Sequence, residues 1–464
     1  MGNKTHGHLL FERLKSYGLV EKGAPAAQFI GKMGVSKMVD AANAMSELAD
    51  TSRLVRERGT FAHFASTSLS GAPYPCASLD CRLKRVDSLA QFASLYSDTV
   101  YFYDLFDSIR SNWVASADVS AAELQRDLRD AVEILLRVQP LIEAGVLVPV
   151  APPCLCSKCL SKMLGEKAGR DRFLACWRKL KDDVERGIQG QLIFDGDRFV
   201  IEITGPEEFV EHGRAIAVTT ELPREIREAS NLKQRCLSGK PTNLSRKSMR
   251  AFSLPQDIAN PVMSSLATEL SASHCLATSY VTERPLDISL LARLGQDPTA
   301  ERINSAIHRH ASSLVPLVDT LDYRKLLRLR KEEGEAFVQF RASLKKAVKE
   351  YTARGEELTE ALAREIYGDV IQPQLSNIEG RMRVARKGLL KDVCCSAAAW
   401  TAAISVGTCA GVLTGDVASV AAALGMTGVV AEVMAGALRR ANFEDELKQE
   451  DMYFLWKAGK KAVK

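Results

Sequence analysis

The stretch from Val393 to Leu438 constrains the fold of this chain most, because it is nearly free of charge within an otherwise charged sequence. Val393 to Thr414 has no ionisable side chain apart from three thiols, and Val417 to Leu438 carries only Glu432. Each segment has about 20 residues, the length that a helix needs to cross the hydrocarbon core of a bilayer. The dipeptide Gly415-Asp416 separates the segments, so the pattern predicts a helical hairpin with a tight turn.

Small residues recur at every fourth position of the first segment, which places them on one face of the predicted helix. Such a small-residue ridge, or glycine zipper, lets two helices approach until their backbones touch, in a bilayer or in a soluble core. In a bilayer Glu432 has to face a partner helix or water, and a ring of these residues in an oligomer would line a pore. The ridge consists of Ala399, Ala403, Gly407, Gly411 and Gly415.

The flanks and the composition of the hairpin point in different directions. Basic residues precede the first segment from Arg381 to Lys391 and follow the second at Arg439 and Arg440, which is typical of hairpin ends that stay cytoplasmic. Ala is nearly neutral on insertion scales and Gly is unfavourable, so the segments are long enough to span a membrane but only weakly apolar. A membrane hairpin and a hairpin buried in a soluble helical domain are both consistent with the sequence.

The remaining composition favours a helical protein of the cytoplasm. A chain of 464 residues is expected to form two or three domains. Its net charge of +5 suits an anionic membrane surface but gives no strong case for nucleic acid. Eleven cysteines without an apolar secretory segment predict a reducing, intracellular compartment. The basic residues that flank the hairpin add a predicted association with the inner face of a membrane. Sparse aromatic residues and many Ala, Leu and charged residues favour helices over sheets.

The predicted fold class is mostly α with a small α/β region, divided into four parts. Residues 1–98 form a helical region that opens with an amphipathic helix from Gln28 to Arg58, and residues 99–228 form the α/β domain. Residues 229–259 read as a basic linker, because they are rich in Lys, Arg, Ser and Asn. Residues 260–464 form a C-terminal helical bundle that contains the hairpin.

Two β patterns define the α/β region. The first is a strand from Thr99 to Tyr103, a helix capped by Ser120 and a strand from Val146 to Val150, which together predict a βαβ unit. The second is a β-hairpin with strands around Leu192 to Phe194 and Phe199 to Ile203, followed by a strand from Ala215 to Val218. Asp195 and Asp197 are explained by the turn between the hairpin strands.

Three thiols lie within six residues at Cys154, Cys156 and Cys159, directly after a Pro-Pro corner. This spacing can ligate zinc, which requires a fourth ligand to close a tetrahedral site. Cys176 is the predicted fourth ligand, with Cys76 or Cys81 as alternates. The alternative interpretation is that these cysteines are small apolar residues of a reduced core.

No constellation predicts catalysis, so the sequence leans towards a protein that is not an enzyme. Nucleotide-binding, hydrolase, zinc-protease and kinase signatures are missing from the sequence. His308 and His310 would lie on nearly opposite sides of a helix and are interpreted as a solvated face. His212, near Glu207, Glu208 and Glu211, is interpreted as part of a charged loop or short helix, and the alternative is a general base of an enzyme that uses the βαβ unit.

In its Ala/Gly-rich hairpin within a charged helical region, the chain resembles pore-forming effectors such as the colicin-type toxins. The resemblance rests on the composition of the hairpin. It implies a membrane-associated effector, without enzymatic activity, whose hairpin inserts into or perturbs a membrane through self-association. The alternative is a soluble helical scaffold with a buried hairpin and a structural zinc, which binds a protein partner through charged helices and the segment from Glu450 to Trp456.

Overall fold

The computed structural model of the chain describes residues 6–20, 27–49, 61–73, 76–107, 109–110, 120–151, 166–195, 198–210, 213–219, 241–294, 299–314, 323–352, 359–380 and 447–462. These residues are mostly helical and include one small parallel sheet and one small antiparallel sheet, as the sequence predicts. The chain forms two compact units, Met1–Ala311 and Ser312–Lys464. The hairpin from 393 to 438, with its small-residue ridge and Glu432, lies outside the described residues. None of the described helices is sufficiently long and apolar to cross a membrane.

The first unit contains helices on both sides of a parallel sheet. The described helices up to the boundary between the units are α1 (His6–Ser16), α2 (Ala27–Ile30), α3 (Val35–Ser46), α4 (Leu79–Tyr96), α5 (Ala121–Arg137), α6 (Gln139–Glu143), α7 (Glu166–Gly187), α8 (Arg246–Ala251), α9 (Leu254–Leu276), α10 (Pro285–Arg293), α11 (Thr299–Arg309) and α12 (Ala311–Leu314). The parallel sheet consists of β1 (Ala62–Ala65), β2 (Thr99–Tyr103), β3 (Leu147–Val150) and β8 (Ser279–Val281). Its strand order is β3-β2-β1-β8.

The predicted βαβ unit is confirmed by β2, α5, α6 and β3. Ser120 accepts a hydrogen bond from the backbone N–H of Glu123, whose side chain accepts from the backbone of Ser120 in return. This reciprocal capping box satisfies two backbone donors that a helix start otherwise leaves unpaired. The apolar stripe that includes Leu124, Leu128 and Val132 is buried, as the helical spacing predicts.

The two faces of the parallel sheet are covered by different helices. Tyr101, Phe64 and Tyr280 are register partners across the sheet and belong to a core that also contains apolar residues of α7 and α9. On the opposite face His63 contacts Phe92 of α4 with a ring-centroid distance of 5.2 Å. The sheet is therefore buried on both sides, which suits parallel strands.

The second sheet is antiparallel and contains the predicted hairpin. It is formed by β4 (Gln189–Asp195), β5 (Arg198–Thr204), β6 (Arg214–Thr219) and β7 (Thr242–Asn243), in the order β6-β5-β4-β7. Leu192, Ile201 and Ile203 point into the core formed with α7, whereas Gln191 and Thr204 are exposed. This alternation is expected for a sheet with one solvated face.

Three predictions differ from the structure. The amphipathic helix from Gln28 to Arg58 is divided into α2 and α3, because Gly31 and Gly34 flank the interruption and Gly lowers helix stability. The described part of the basic linker, residues 241–259, is structured and supplies β7, α8 and the start of α9. The region from residue 260 is not wholly helical, since β8 joins the parallel sheet. The first compact unit ends at Ala311.

The second unit is helical in its described part. It contains α13 (Tyr323–Glu332), α14 (Gly334–Thr352), α15 (Glu360–Ile366), a π-helix (Tyr367–Ile371) and α16 (Tyr453–Ala462). The rings of Phe337 and Phe454 lie 4.8 Å apart, and Lys457 pairs with Glu333. The aromatic segment near the C-terminus therefore packs against helices α13 and α14 of its own unit.

Candidate ligand site at the carboxyl edge of the parallel sheet

The carboxyl ends of β1 and β8 lie side by side, and we call the space between the helices that follow them the crevice. After β1 the chain enters α4, which contacts α5 through an ion pair between Arg82 and Asp130. After β8 it enters α10, which contacts α7 through Arg293 and Asp183 at 3.1 Å. The two helices thus leave adjacent strands towards opposite faces of the sheet. In open α/β sheets, ligands bind in the crevice formed where the connections diverge in this way.

The turn after β1 is rich in hydroxyl groups and held by two buried arginines. Arg82 Nε donates to the carbonyl of Gly71 at 2.7 Å, and Arg85 Nε donates to the carbonyl of Ser68 at 3.1 Å. Gly71 has φ +80°, and a Cβ there would lie 2.8 Å from Val86 Cγ2. The left-handed backbone and the close approach both require glycine at this position. The two arginines and Gly71 therefore fix the backbone conformation of the turn.

A buried carboxylate, Glu269 of α9, closes the base of the crevice. Its Oε1 accepts from the backbone N–H of Thr67 at 2.6 Å and from Thr67 Oγ1 at 2.5 Å, while its Oε2 accepts from Tyr280 Oη at 2.5 Å. Burial, and then the negative charge of Asp287, raise the pKa of Glu269. These three donors compensate for the removal of the carboxylate from water, which is otherwise costly.

Asp287 extends the network towards β8. Thr282 Oγ1 donates to Asp287 Oδ2 at 2.7 Å, and Tyr280 Oη lies 3.2 Å from the same oxygen. The other oxygen, Oδ1, accepts no hydrogen bond within the described residues, and Arg284 Nε lies 3.7 Å from it. The tyrosine hydroxyl lies between two carboxyl groups and can donate its one proton to only one of them at a time. Burial, and then the negative charges of Asp287 and Glu269, raise the pKa of Tyr280 well above its ordinary value.

The upper part of the crevice is bridged by Ser68 and Glu283. Ser68 Oγ donates to Glu283 Oε1, which joins the turn after β1 to the turn after β8. Thr67, Glu283 and Arg284 are half-buried, so their side chains are partly accessible from solvent. The accessible side of the crevice thus combines the hydroxyl group of Thr67, the carboxylate of Glu283 and the guanidinium group of Arg284, whereas Ser68 is buried.

A second buried acid, Asp104, follows β2 at the same edge. Its carboxylate oxygens accept from the backbone N–H groups of Phe106 and Asp107 at 3.2 and 3.1 Å. Burial raises the pKa of Asp104 to about 7; the hydrogen bond from Phe106 opposes this rise and the charge of Asp107 adds to it. Asp104 is therefore a structural cap whose ionisation costs free energy near neutral pH.

The structure does not assemble the predicted zinc site within its described residues. Cys154, Cys156 and Cys159 lie outside them, and the described part contains no group of three or more His, Cys, Asp or Glu residues suited to a metal. Cys176 is buried in the core beside α9, and burial raises the pKa of its thiol. Cys76 and Cys81 are half-buried near the start of α4.

The histidines differ from the sequence interpretation. His308 is 2% exposed and faces the core, where its Nε2 lies 3.2 Å from Ser88 Oγ and its ring contacts Phe92. Burial lowers the pKa of His308 to about 3, so the ring is neutral. The predicted solvated face is therefore wrong for this residue. His212 lies outside the described residues.

Sequence reasoning missed the crevice at the end of β1. One signal was present: the hydroxyl-rich run from Ser66 to Ser70 follows an apolar segment and precedes Gly71. Its partners Glu269 and Glu283 lie about two hundred positions further along the chain. Spacing within one sequence does not indicate such contacts.

Comparisons of the chain with protein-family models, with curated proteins and with solved structures each found no match. The function is therefore inferred from the geometry and chemistry of the site. A strand order shows where a ligand can bind, while the side chains decide which chemistry it must have.

Replacing Asp104 by asparagine tests the effect of burial on this acid. Because the folded-state pKa is raised, the stabilising contribution of Asp104 is fully present below pH 4 and is lost as the pH rises through about 7. An asparagine side chain does not ionise, so we expect Asp104→Asn to gain stability relative to the wild type between pH 4 and 8. The gain is at most about 4 kcal/mol, from roughly 1.4 kcal/mol for each tenfold change in the ionisation constant.

Urea unfolding at several pH values measures this difference. Asp171→Asn is the matched control, because Asp171 is exposed on α7. The same pH dependence in the Asp104→Asn variant and the wild type would show that Asp104 ionises normally.

Proposed function

We propose that the first unit binds a small, neutral, hydroxyl-rich molecule, such as a nucleoside or a sugar, in the crevice between β1 and β8. The observation that carries this proposal is the divergence of α4 and α10 from adjacent strands beside Ser68 and Glu283. Carboxylates accept hydrogen bonds from ligand hydroxyl groups, and serine and threonine hydroxyls donate or accept as required.

The same side chains disfavour a phosphate in this crevice. A phosphate needs backbone N–H groups or cations, but the N–H of Thr67 already donates to Glu269. The carbonyls of Ser68 and Gly71 are oriented towards Arg85 and Arg82. The guanidinium group of Arg284 already lies 3.7 Å from the carboxylate of Asp287, so a phosphate would face the charge of Glu283, which is repulsive. Binding without catalysis is proposed because the hydroxyl that donates to Glu283, Ser68 Oγ, belongs to a buried residue and is not presented to a ligand as a nucleophile.

Isothermal titration with adenosine, D-ribose and adenosine monophosphate tests the ligand class. We expect saturable binding of at least one neutral probe, weaker binding of the monophosphate, and about a tenfold loss of affinity in Glu283→Gln, since an ionised acceptor is replaced by a neutral one. Glu207→Gln removes an exposed carboxylate elsewhere in the unit and serves as the control. Tighter binding of the monophosphate, or no saturable binding of any probe, contradicts the proposal.

We also propose that the hairpin from Val393 to Leu438 makes the protein a membrane-associated effector. The supporting features are the length of the two apolar segments, the basic residues at their outer ends and the small-residue ridge. The hairpin inserts into or perturbs the bilayer, and copies associate through Gly407, Gly411 and Gly415. Glu432 then faces a partner helix or water, as in a pore.

Gly411→Leu tests the membrane proposal by blocking the ridge with a large side chain. We expect loss of dye leakage from anionic vesicles, with the unfolding transition of the remaining protein unchanged. Ala410→Leu is the matched control, because it adds the same side chain beside the ridge and should preserve leakage. If Gly411→Leu leaks as the wild type does, helix contact through the ridge is not required.

The alternative function is a soluble helical scaffold with the hairpin buried, stabilised by zinc at Cys154, Cys156 and Cys159. Among the candidates for the fourth ligand, Cys176 is disfavoured by its place in the core, where burial raises the pKa of the thiol that must ionise. Cys76 or Cys81 is then the better alternate. The described packing of α16 on its own unit leaves the charged helices as the partner surface.

Metal analysis of the purified protein tests the zinc site. We expect about one equivalent of zinc, reduced strongly in Cys156→Ser and unchanged in Cys275→Ser, since one missing thiolate opens a tetrahedral site. Less than about half an equivalent in the wild type would count against the site. After centrifugation of a cell lysate at low and at high salt, recovery of the protein wholly in the supernatant would favour the scaffold over the membrane effector.

A further inference from the structure

A polar groove of about 370 Å³ lies on the second sheet, at the junction of β4, β5, β7, α7 and α8. Strand register places its side chains on one face, because Gln191 pairs with both Glu202 and Asn243, and Gln189 pairs with Thr204. Gln189, Gln191, Asn243 and Thr204 are exposed. The groove shares no lining residue with the crevice at the parallel sheet.

Most charges around this groove are already paired. Glu185 pairs with Arg250 at 2.8 Å, Glu202 with Arg214 at 2.6 Å, and Arg186 with Asp183 at 2.5 Å. The two carboxylates therefore add little net negative charge to the groove. They also fix the walls, since Glu185 is only 6% exposed and joins α7 to α8.

Arg246, at the start of α8, is different. It lines the groove and is exposed, and within the described part of the chain it makes no ion pair or hydrogen bond. Its guanidinium group is always charged and presents donors in a planar fork that matches an oxyanion. The carboxamides of Gln189, Gln191 and Asn243 add neutral donors on the same face.

We propose that this groove binds the oxyanion of a small ligand, a phosphate or a carboxylate, through Arg246 and the neighbouring carboxamides. Because the carboxylates of Glu185 and Glu202 pair with other arginines, they compensate little of the positive charge of Arg246. The sheet holds the amide donors at fixed spacing. The groove volume accommodates a small molecule rather than a polymer. This site is independent of the function proposed for the parallel sheet.

Titration of the full-length protein with inorganic phosphate and with citrate, at constant ionic strength, tests the proposal. We expect saturable binding of one or both anions and a loss of affinity of about tenfold or more in Arg246→Gln, because a charge-assisted bidentate contact is removed. Lys247→Gln is the matched control, since Lys247 is exposed on the same helix and does not line the groove.

Each outcome has a defined meaning. Tighter binding of phosphate identifies a phosphate site, and tighter binding of citrate identifies a carboxylate site. Equal losses in Arg246→Gln and Lys247→Gln would show that general positive charge attracts the anion, and this would overturn the proposal. Absence of saturable binding by both anions in the folded wild type would also overturn it. Unchanged thermal unfolding of Arg246→Gln separates loss of binding from loss of structure.

Discussion

The buried carboxylate of Glu269 is the interaction on which the first unit depends. Its three donors come from Thr67 after β1 and from Tyr280 in β8, so one side chain joins the two strands whose ends form the crevice. A carboxylate removed from water without such donors would cost several kcal/mol. The pairing of β1 with β8 and the burial of Glu269 therefore require each other. The second sheet and α7 lie between β3 and β8 in the sequence, so they have to fold in a way that still allows β8 to pair with β1.

The crevice and the groove have opposite electrostatic character. At the crevice, the arginines of α4 donate to carbonyls of the turn after β1 and Arg284 lies beside Asp287, so Glu283 and Thr67 are the acceptors on the accessible side. At the groove, the carboxylates of Glu185 and Glu202 form ion pairs with Arg250 and Arg214, so Arg246 and the amide donors set the character of the surface. Pairing inside the protein, rather than the small net charge of the chain, thus decides what each surface can bind. A net charge of +5 conceals this difference.

Local signals in the sequence were sufficient for much of the fold. The capping residue Ser120 and its helical stripe, the strand of β-branched and aromatic residues at Thr99, and the turn at Asp195 each depend on neighbours within about twenty positions. The strand β8 was missed because three residues between two helices give no periodicity. The strand in the described part of the basic linker was missed because β7 is defined by pairing with β4, over fifty positions away. The crevice depends on contacts of still greater separation, for which one sequence has no local signal.

If the small-residue ridge is helical, as the sequence predicts, it imposes an energetic condition in any solvent. Each Gly in a helix costs about 0.5 to 1 kcal/mol relative to Ala, so Gly407, Gly411 and Gly415 together require a compensating gain. Close backbone contact supplies that gain, and it is available only against another helix. A lone helix facing lipid or water would carry the cost without the contact. The ridge therefore needs a helical partner in either proposed function, and the two functions differ in whether that partner is another helix of the same chain or a second copy in a membrane.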